Sequence, residues 1–324
     1  MVRVETGARL HFGFQNLSLA HERLYGGVGV ALDEPRATVE ATPAPTLDAD
    51  PIVERAARRA CGVLGVPGAR VRLVEPLPRH VGLGSGTQHA LATLAAVARA
   101  HDRPVRVRER APALDRGGRS GVGVAAFEAG GFVVDAGHPA ERFTTAPPPP
   151  GEWTVPAVAA RHDVPDDWRF LLVLPVAESG KHGPDEDESM RSVIERADAT
   201  IADDLAAVLT RRILPAVAEG DPDRFGAAVA AFGRLNGAWY ADEQGGVYRP
   251  PAGDVVAALR GSPAVSGVGQ SSWGPTVYGV TTATRAEAAE EAARATLEEL
   301  GIEGEVRVVA ARNEGALASD DSDA

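Results

Sequence analysis

The sequence predicts an α/β or α+β protein in two lobes, and three observations carry that reading. Strand-length apolar runs interleave with segments of 3.6-residue apolar periodicity. A four-proline run, Pro147–Pro150, fits neither a helix nor a central strand and is the best linker in the chain. No internal repeat divides the 324 residues. At about 100–200 residues per domain the length suits one large or two modest domains. The division falls near residues 140–170: 1–150 form an N-terminal domain, 151–317 a C-terminal domain, and 318–324 an acidic disordered tail.

In chain order, Arg3–Leu10 and Gly29–Val39 mix β-branched with polar residues and read as strands around a glycine-rich turn at Tyr25–Gly29. Pro51–Leu64 places its apolar residues on one helical face, with Asp50 as N-cap and Pro51 at the first helical position. Val71–Val74 is a short strand, and a Gly-rich turn at Val81–Gly86 opens an alanine-rich helix from Thr87 to His101. Gly131–Asp135 and Arg169–Val176 read as buried strands. Long helical patterns follow at Glu188–Val217 and Pro222–Ala238. Strands at Val265–Val268 and Pro275–Val280, a helix at Arg285–Leu300 and a strand at Glu305–Ala311 complete the chain.

Composition narrows the function. The 33 basic and 45 acidic residues give a formal charge of −12, which argues against a non-specific nucleic-acid binder, since that needs a basic surface. The single cysteine, Cys61, excludes a disulfide framework and multi-cysteine metal centres. Without a signal-like start or a long apolar span, a soluble cytoplasmic protein with no membrane partner is expected. Lys181 is the only lysine among the basic residues. Arginine over lysine follows from GC-rich coding, or from a salt-rich cytoplasm in which net charge opposes association.

Three glycine-rich segments carry the chemistry. In the first, Gly82, Gly84 and Gly86 lie directly before a helix, with Ser85, Thr87 and Gln88 beside them. Glycine lets the backbone approach a ligand and expose successive N–H groups, and the helix start adds unpaired donors and the positive end of its dipole. The segment is neither a P-loop, having no Gly-Lys-Ser/Thr, nor a dinucleotide fingerprint, because its glycines fall at first, third and fifth positions. The second, Arg116–Asp135, contains Arg119, Ser120 and Gly121; its arginines can grip phosphate bidentately, while its apolar part reads equally as a buried helix–turn–strand. The third, Ser266–Gly279, brings Gly267, Gly269, Gln270, Ser271 and Ser272. One such turn is common; three spread over both lobes favour a shared cleft for a polyanion.

Together the three segments resemble the GHMP kinase superfamily of galactokinase and the homoserine, mevalonate and phosphomevalonate kinases. Ala8–Gly13, Tyr25–Val30 and Gly118–Asp135 look more specifically like its β-ribofuranosylaminobenzene 5′-phosphate synthase branch. The resemblance spans about residues 4–280. It implies an α+β, GHMP-kinase-like fold with a ribosomal S5 domain 2-like N-terminal lobe and a ferredoxin-like C-terminal lobe. Many mevalonate-type kinases carry Ser-Gly-Val-Asp in the second segment, and that Asp activates the substrate hydroxyl. Here the register reads Ser120-Gly121-Val122-Gly123, which removes the usual base.

The branch joins phosphoribosyl diphosphate to 4-aminobenzoate or 4-hydroxybenzoate with release of CO2 and diphosphate. The resemblance therefore implies a phosphorylated sugar diphosphate and an aromatic acid as partners, with Mg²⁺ as cofactor. Departing diphosphate needs N–H donors, which the Gly82–Thr87 loop supplies. The ribosyl 5′-phosphate needs a second pocket, at Gly267–Ser272 or Arg119. Arg9 or His11 would orient the carboxylate; their alternative is two polar residues on an edge strand. Asp135 either holds Mg²⁺ or caps the next turn, and no metal ligand is assigned. Lys181 either reaches a phosphate or is an ordinary exposed lysine. Trp239 and Tyr240 read as core, whereas Trp273 fits one wall of an aromatic pocket. The alternatives are an ATP-dependent small-molecule kinase and a catalytically idle binder of a phosphorylated metabolite. A homodimer is the default assembly.

Overall fold

The computed structural model describes residues 1–143, 151–177 and 184–320. Its elements are β1 (Val2–Asn16), β2 (Arg23–Pro43), β3 (Asp48–Ala49), α1 (Glu54–Leu64), β4 (Ala69–Glu75), α2 (Ser85–Ala100), α3 (Val107–Arg110), α4 (Val122–Ala129), β5 (Phe132–Asp135), β6 (His138–Pro139), β7 (Val158–His162), β8 (Trp168–Pro175), α5 (Pro184–Arg196), α6 (Ala199–Val208), α7 (Leu214–Glu219), α8 (Pro222–Trp239), α9 (Ala241–Gln244), α10 (Ala252–Leu259), β9 (Val268–Gln270), β10 (Val277–Thr282), α11 (Ala286–Leu300), β11 (Gly304–Ala310) and β12 (Leu317–Asp320).

The N-terminal lobe is built on the long β1–β2 ribbon. β1 pairs with β12 on one side and β2 on the other, and β2 pairs with β4 along its second half and β5 along its first. The helices α1 and α2 bury their apolar faces on this sheet, through Ala57, Ala60, Leu64, Leu91, Leu94 and Val97. The C-terminal lobe is a four-stranded antiparallel sheet in the order β11-β8-β10-β9. With helices between β8 and β9 and between β10 and β11, this is the split-βαβ, ferredoxin-like arrangement. The two-lobed fold expected from the sequence is the fold observed.

Phe225 of α8 ties the lobes together. Its ring lies 6.0 Å from Phe12, 5.6 Å from Phe132 and 4.8 Å from Trp168. These aromatics come from β1, β5 and β8, so one apolar cluster runs through both lobes and fixes the cleft between them.

Several local expectations change. Tyr25–Gly29 is not a turn but part of β2; the reversal lies before Arg23. The glycines serve close approach instead: a Cβ on Gly29 would lie 2.3 Å from the Leu10 carbonyl oxygen. Helix α1 starts at Glu54 rather than Pro51, because the Asp50 carboxylate accepts the Leu73 N–H (2.8 Å) and joins a strand instead of capping. The 188–217 pattern breaks at Asp198, which caps α6 by accepting the Thr200 N–H. β7 pairs with β5, so the N-terminal sheet continues past residue 150. Leu317–Asp320 pairs with β1, so the chain remains ordered beyond 318; only 321–324 of the expected tail lie outside the described residues.

Candidate functional site

The glycine loop lies where β1, the start of α2 and the turn after β9 meet. Gly82 and Gly84 have φ of 94° and 83°, a left-handed backbone that glycine adopts without strain. Its carbonyls are committed inward. The Gly82 carbonyl accepts from Arg9 Nη1 and from Ser271 Oγ (2.8 Å), the Leu83 carbonyl accepts from the Arg9 N–H (3.1 Å), and the Val81 carbonyl accepts from the Thr276 N–H (3.2 Å). A Cβ on Gly82 would sit 2.3 Å from the Ser271 carbonyl oxygen, so the two glycine segments close on each other across the lobes.

The amide side of the same loop is unspent. Among the described residues, no protein acceptor takes the N–H groups of Gly82, Leu83, Gly84, Ser85 or Gly86. They precede and open α2, a 16-residue helix, where the helix dipole adds positive potential. The Arg116 guanidinium stands beside them, 3.2 Å from where a Gly86 Cβ would be. Such an arrangement of open amides beside a guanidinium can receive an anion. Gly123 faces the loop, since its Cβ would meet Thr87 at 3.1 Å. Gly123 therefore looks onto the start of α2 and bears no side chain there.

Next to the loop is a cleft lined by His11, Phe14, Asn236, Tyr240, Ser272 and Trp273, among others. Trp273 and Tyr240 stand edge to face with centroids 4.6 Å apart, and His11 packs edge-on to Phe14 at 5.0 Å. Trp273 takes its expected place. Tyr240 is buried in the core, as read from sequence, and also lines the cleft. The cleft contact follows helical phase: Gly233, Asn236 and Gly237 of α8, with its C-cap Tyr240, recur at i, i+3, i+4 and i+7 and form one stripe on the cleft.

His11 is buried, and its backbone is held by Ser271 Oγ (3.1 Å from His11 N) and the Ser272 N–H (3.0 Å to His11 O). Burial, and then the positive charge of Arg9, push its imidazole down to about 3. It is therefore neutral at ordinary pH, leaving Arg9 as the cation of the pair. Nε2 of His11 lies 3.1 Å from Ser120 Oγ, which donates to Asp135 Oδ2 (3.0 Å).

Of the two readings of Asp135, the structure carries the turn cap, because Oδ1 accepts the Gly137 N–H two residues on. Asp135 is 0% exposed, and its oxygens accept from the Gly121 N–H (2.7 Å) and Gly137 N–H (2.9 Å), with Gly27 and Ser120 completing the cradle. Burial raises its affinity for a proton, while these donors oppose the rise. A carboxylate with both oxygens so committed does not fit a Mg²⁺ ligand in the cleft. The described residues contain no group of three metal-binding side chains.

Other expected anion contacts go to structure. Gln88 is fully buried, accepting from Thr6 Oγ1 (2.8 Å) and donating to the Gly123 carbonyl (2.9 Å). A Cβ on Gly267 would lie 2.0 Å from the Gly226 carbonyl oxygen of α8, and one on Gly269 would lie 2.6 Å from the Tyr278 hydroxyl; both glycines serve packing. Gln270 accepts the Arg249 N–H (2.7 Å) and donates to the Ser272 carbonyl (2.9 Å). Ser120 and Gly121 belong to the Asp135 cradle, and Arg119 bonds Tyr25. Arg9, the 82–87 loop, Ser271 and Ser272 do converge. Lys181 lies outside the described residues.

Comparison with known proteins agrees with this arrangement. Residues 51–131 match the GHMP kinases N terminal domain and residues 213–299 the GHMP kinases C terminal domain. A β-ribofuranosylphenol 5′-phosphate synthase of Archaeoglobus fulgidus is 33% identical over 97% of this chain and 98% of that protein. The one from Methanothermobacter thermautotrophicus is 31% identical over 97% of each. The crystal structure of L. major mevalonate kinase in complex with R-mevalonate superposes with a TM-score of 0.66 at 14% identity, covering 95% of this chain and 96% of that one, a likeness of fold. No helix among the described residues is long and apolar enough to cross a membrane. The chain is an enzyme of the GHMP kinase family and belongs to its β-ribofuranosylphenol 5′-phosphate synthase branch.

Proposed function

We propose that this enzyme transfers a phosphoribosyl group from phosphoribosyl diphosphate to 4-hydroxybenzoate, releasing diphosphate and CO2. The observation that carries the reading is the run of five unpartnered amides at Gly82–Gly86, beside Arg116 and next to an aromatic-lined cleft. Those amides meet the charge that develops on diphosphate as it leaves the anomeric carbon, where preorganised donors act without reorganisation. The ring carbon bearing the carboxylate attacks the sugar, and loss of CO2 restores aromaticity. That step needs no base near a sugar hydroxyl, in keeping with Gly123. The names of the relatives specify a phenol, which favours the hydroxy over the amino acid. Arg9, the cation nearest His11, suits the benzoate carboxylate, and Tyr240 and Trp273 suit the ring.

The test is incubation with phosphoribosyl diphosphate and carboxyl-labelled 4-hydroxybenzoate. Labelled CO2 in step with diphosphate supports the reading. ATP turnover with an alcohol acceptor and no CO2 would replace it with a kinase.

A further inference from the structure

Resting on that reading for the identity of its substrate, we propose that Ser120 and Asp135 are positioning residues. They hold His11 with Nε2 protonated, so that Nδ1 is the acceptor the cleft presents to the ionisable hydroxyl of the aromatic acid.

The assignment follows from counting hydrogens around Ser120 Oγ. That oxygen has three polar neighbours: Asp135 Oδ2 at 3.0 Å, Val122 N at 3.2 Å and His11 Nε2 at 3.1 Å. It has one hydrogen to give. Val122 N can only donate. Asp135 is ringed by the amides of Gly121, Gly137 and Gly27, so its ionised form accepts from every side and takes the serine hydrogen. The remaining contact closes only if His11 donates through Nε2–H. Gly27 leaves room for this junction: a Cβ there would lie 2.2 Å from Ser120 Oγ, 2.8 Å from Asp135 Oδ2 and 2.9 Å from His11 Nε2. No described residue donates to His11 Nδ1, and His11 lines the cleft together with Phe14, Tyr240 and Trp273.

The same chain gives the proton a destination. When the hydroxyl of the substrate delivers its proton to Nδ1, Nε2 releases its own to Ser120 Oγ, and Ser120 releases its hydrogen to Asp135 Oδ2. Imidazole and serine end neutral, Asp135 ends protonated, and the substrate becomes an aryl oxide. No imidazolium has to persist, which suits a ring that burial keeps neutral. The oxide lies para to the attacking carbon and raises its electron density. Asp135 touches no substrate in this scheme; it acts through Ser120 and His11.

The test is long-range ¹H–¹⁵N NMR on ¹⁵N-histidine-labelled protein at pH 7, with the His11 signal identified by its loss in His11→Gln. A single Nε2–H tautomer is expected in the wild type, together with a shift of Nδ1 on adding 4-hydroxybenzoate but not benzoate. Ser120→Ala, checked for folding by circular dichroism, is expected to lose the single tautomer. Its kcat should fall about 100-fold with little change in KM, the size of effect typical of a lost proton acceptor. An Nδ1–H tautomer in the wild type overturns the proposal whether or not any variant folds. So does an unchanged tautomer in folded Ser120→Ala, or an equal Nδ1 response to benzoate. The NMR measurements need no turnover. A protein that passes them but releases no labelled CO2 therefore refutes the substrate reading and leaves the tautomer in place.

Discussion

Two glycine-rich cradles lie side by side in this molecule, and they differ in whether an anion of the chain itself fills them. The cradle of Gly27, Gly121 and Gly137 is filled by the chain's own carboxylate, Asp135, completely buried. The loop of Gly82, Gly84 and Gly86 turns its carbonyls inward to Arg9, Ser271 and Thr276 and leaves its amides unspent. Backbone donors behave alike in both; only the presence of an internal acceptor separates a structural cradle from a ligand site.

The comparison can be broken from either side. Gly82→Ala should have the largest effect on function, because it meets both an unfavourable φ of 94° and the Ser271 carbonyl. Losing aligned anion donors costs about 100-fold or more in turnover, so kcat/KM measured at fixed phosphoribosyl diphosphate should fall by that factor. Asp135→Ala should lower stability and, by breaking the Ser120–His11 relay, turnover, while sparing the leaving-group site. It strands three amides and a hydroxyl, a loss of about 3 kcal/mol in urea unfolding, with binding of inorganic diphosphate unchanged. Equal loss of diphosphate affinity would erase the distinction between the two cradles.

Smaller effects sharpen it. Arg116→Ala should weaken diphosphate binding about tenfold, an effect of about 1.4 kcal/mol that shrinks as salt rises. Stability should also fall as pH drops from about 6.5 toward 4. The unfolded chain gains protons there that folded His11, held near 3, and His89, held near 4 by burial and then by Arg79 and Arg116, refuse. His89 stays neutral as the acceptor of the Leu77 N–H (3.0 Å), just before the loop. Asp135 titrates in the opposite sense, since its raised affinity favours the fold at low pH and limits the loss. Urea midpoints at pH 7 and pH 5 should thus differ by about 2 kcal/mol in ΔG, in favour of pH 7. A higher midpoint at pH 5 would show that Asp135 outweighs both histidines.

The two-lobed α+β architecture and the loop of open amides were legible because they depend on local pattern. A Gly-rich turn before an alanine-rich helix exposes amides wherever it folds. The Tyr25–Gly29 segment misled because glycine signals both turns and close approach, and only the packing of Leu10, Ser120 and Asp135 against β2 tells which. Asp135 stayed open between metal ligand and turn cap for a related reason. An acid after an apolar run resembles a metal ligand until its amide donors, Gly137 two residues on, Gly121 fourteen residues back and Gly27 on distant β2, are brought together. The cleft stripe at the end of α8 was available from phase alone, and Tyr240, read as core, is buried there as well as lining the cleft. The pairing of Leu317–Asp320 with β1 depends on a strand more than 300 residues away.

The central claim is tested most directly by titrating ¹⁵N-labelled protein with inorganic diphosphate and following the glycine amides. Binding should move Gly82, Gly84 and Gly86 strongly and saturably, while Gly121 and Gly137, already bonded to Asp135, hardly respond. If the loop amides stay still while diphosphate binds elsewhere, or if the Asp135 cradle responds as strongly, the assignment of the loop as the leaving-group site is contradicted.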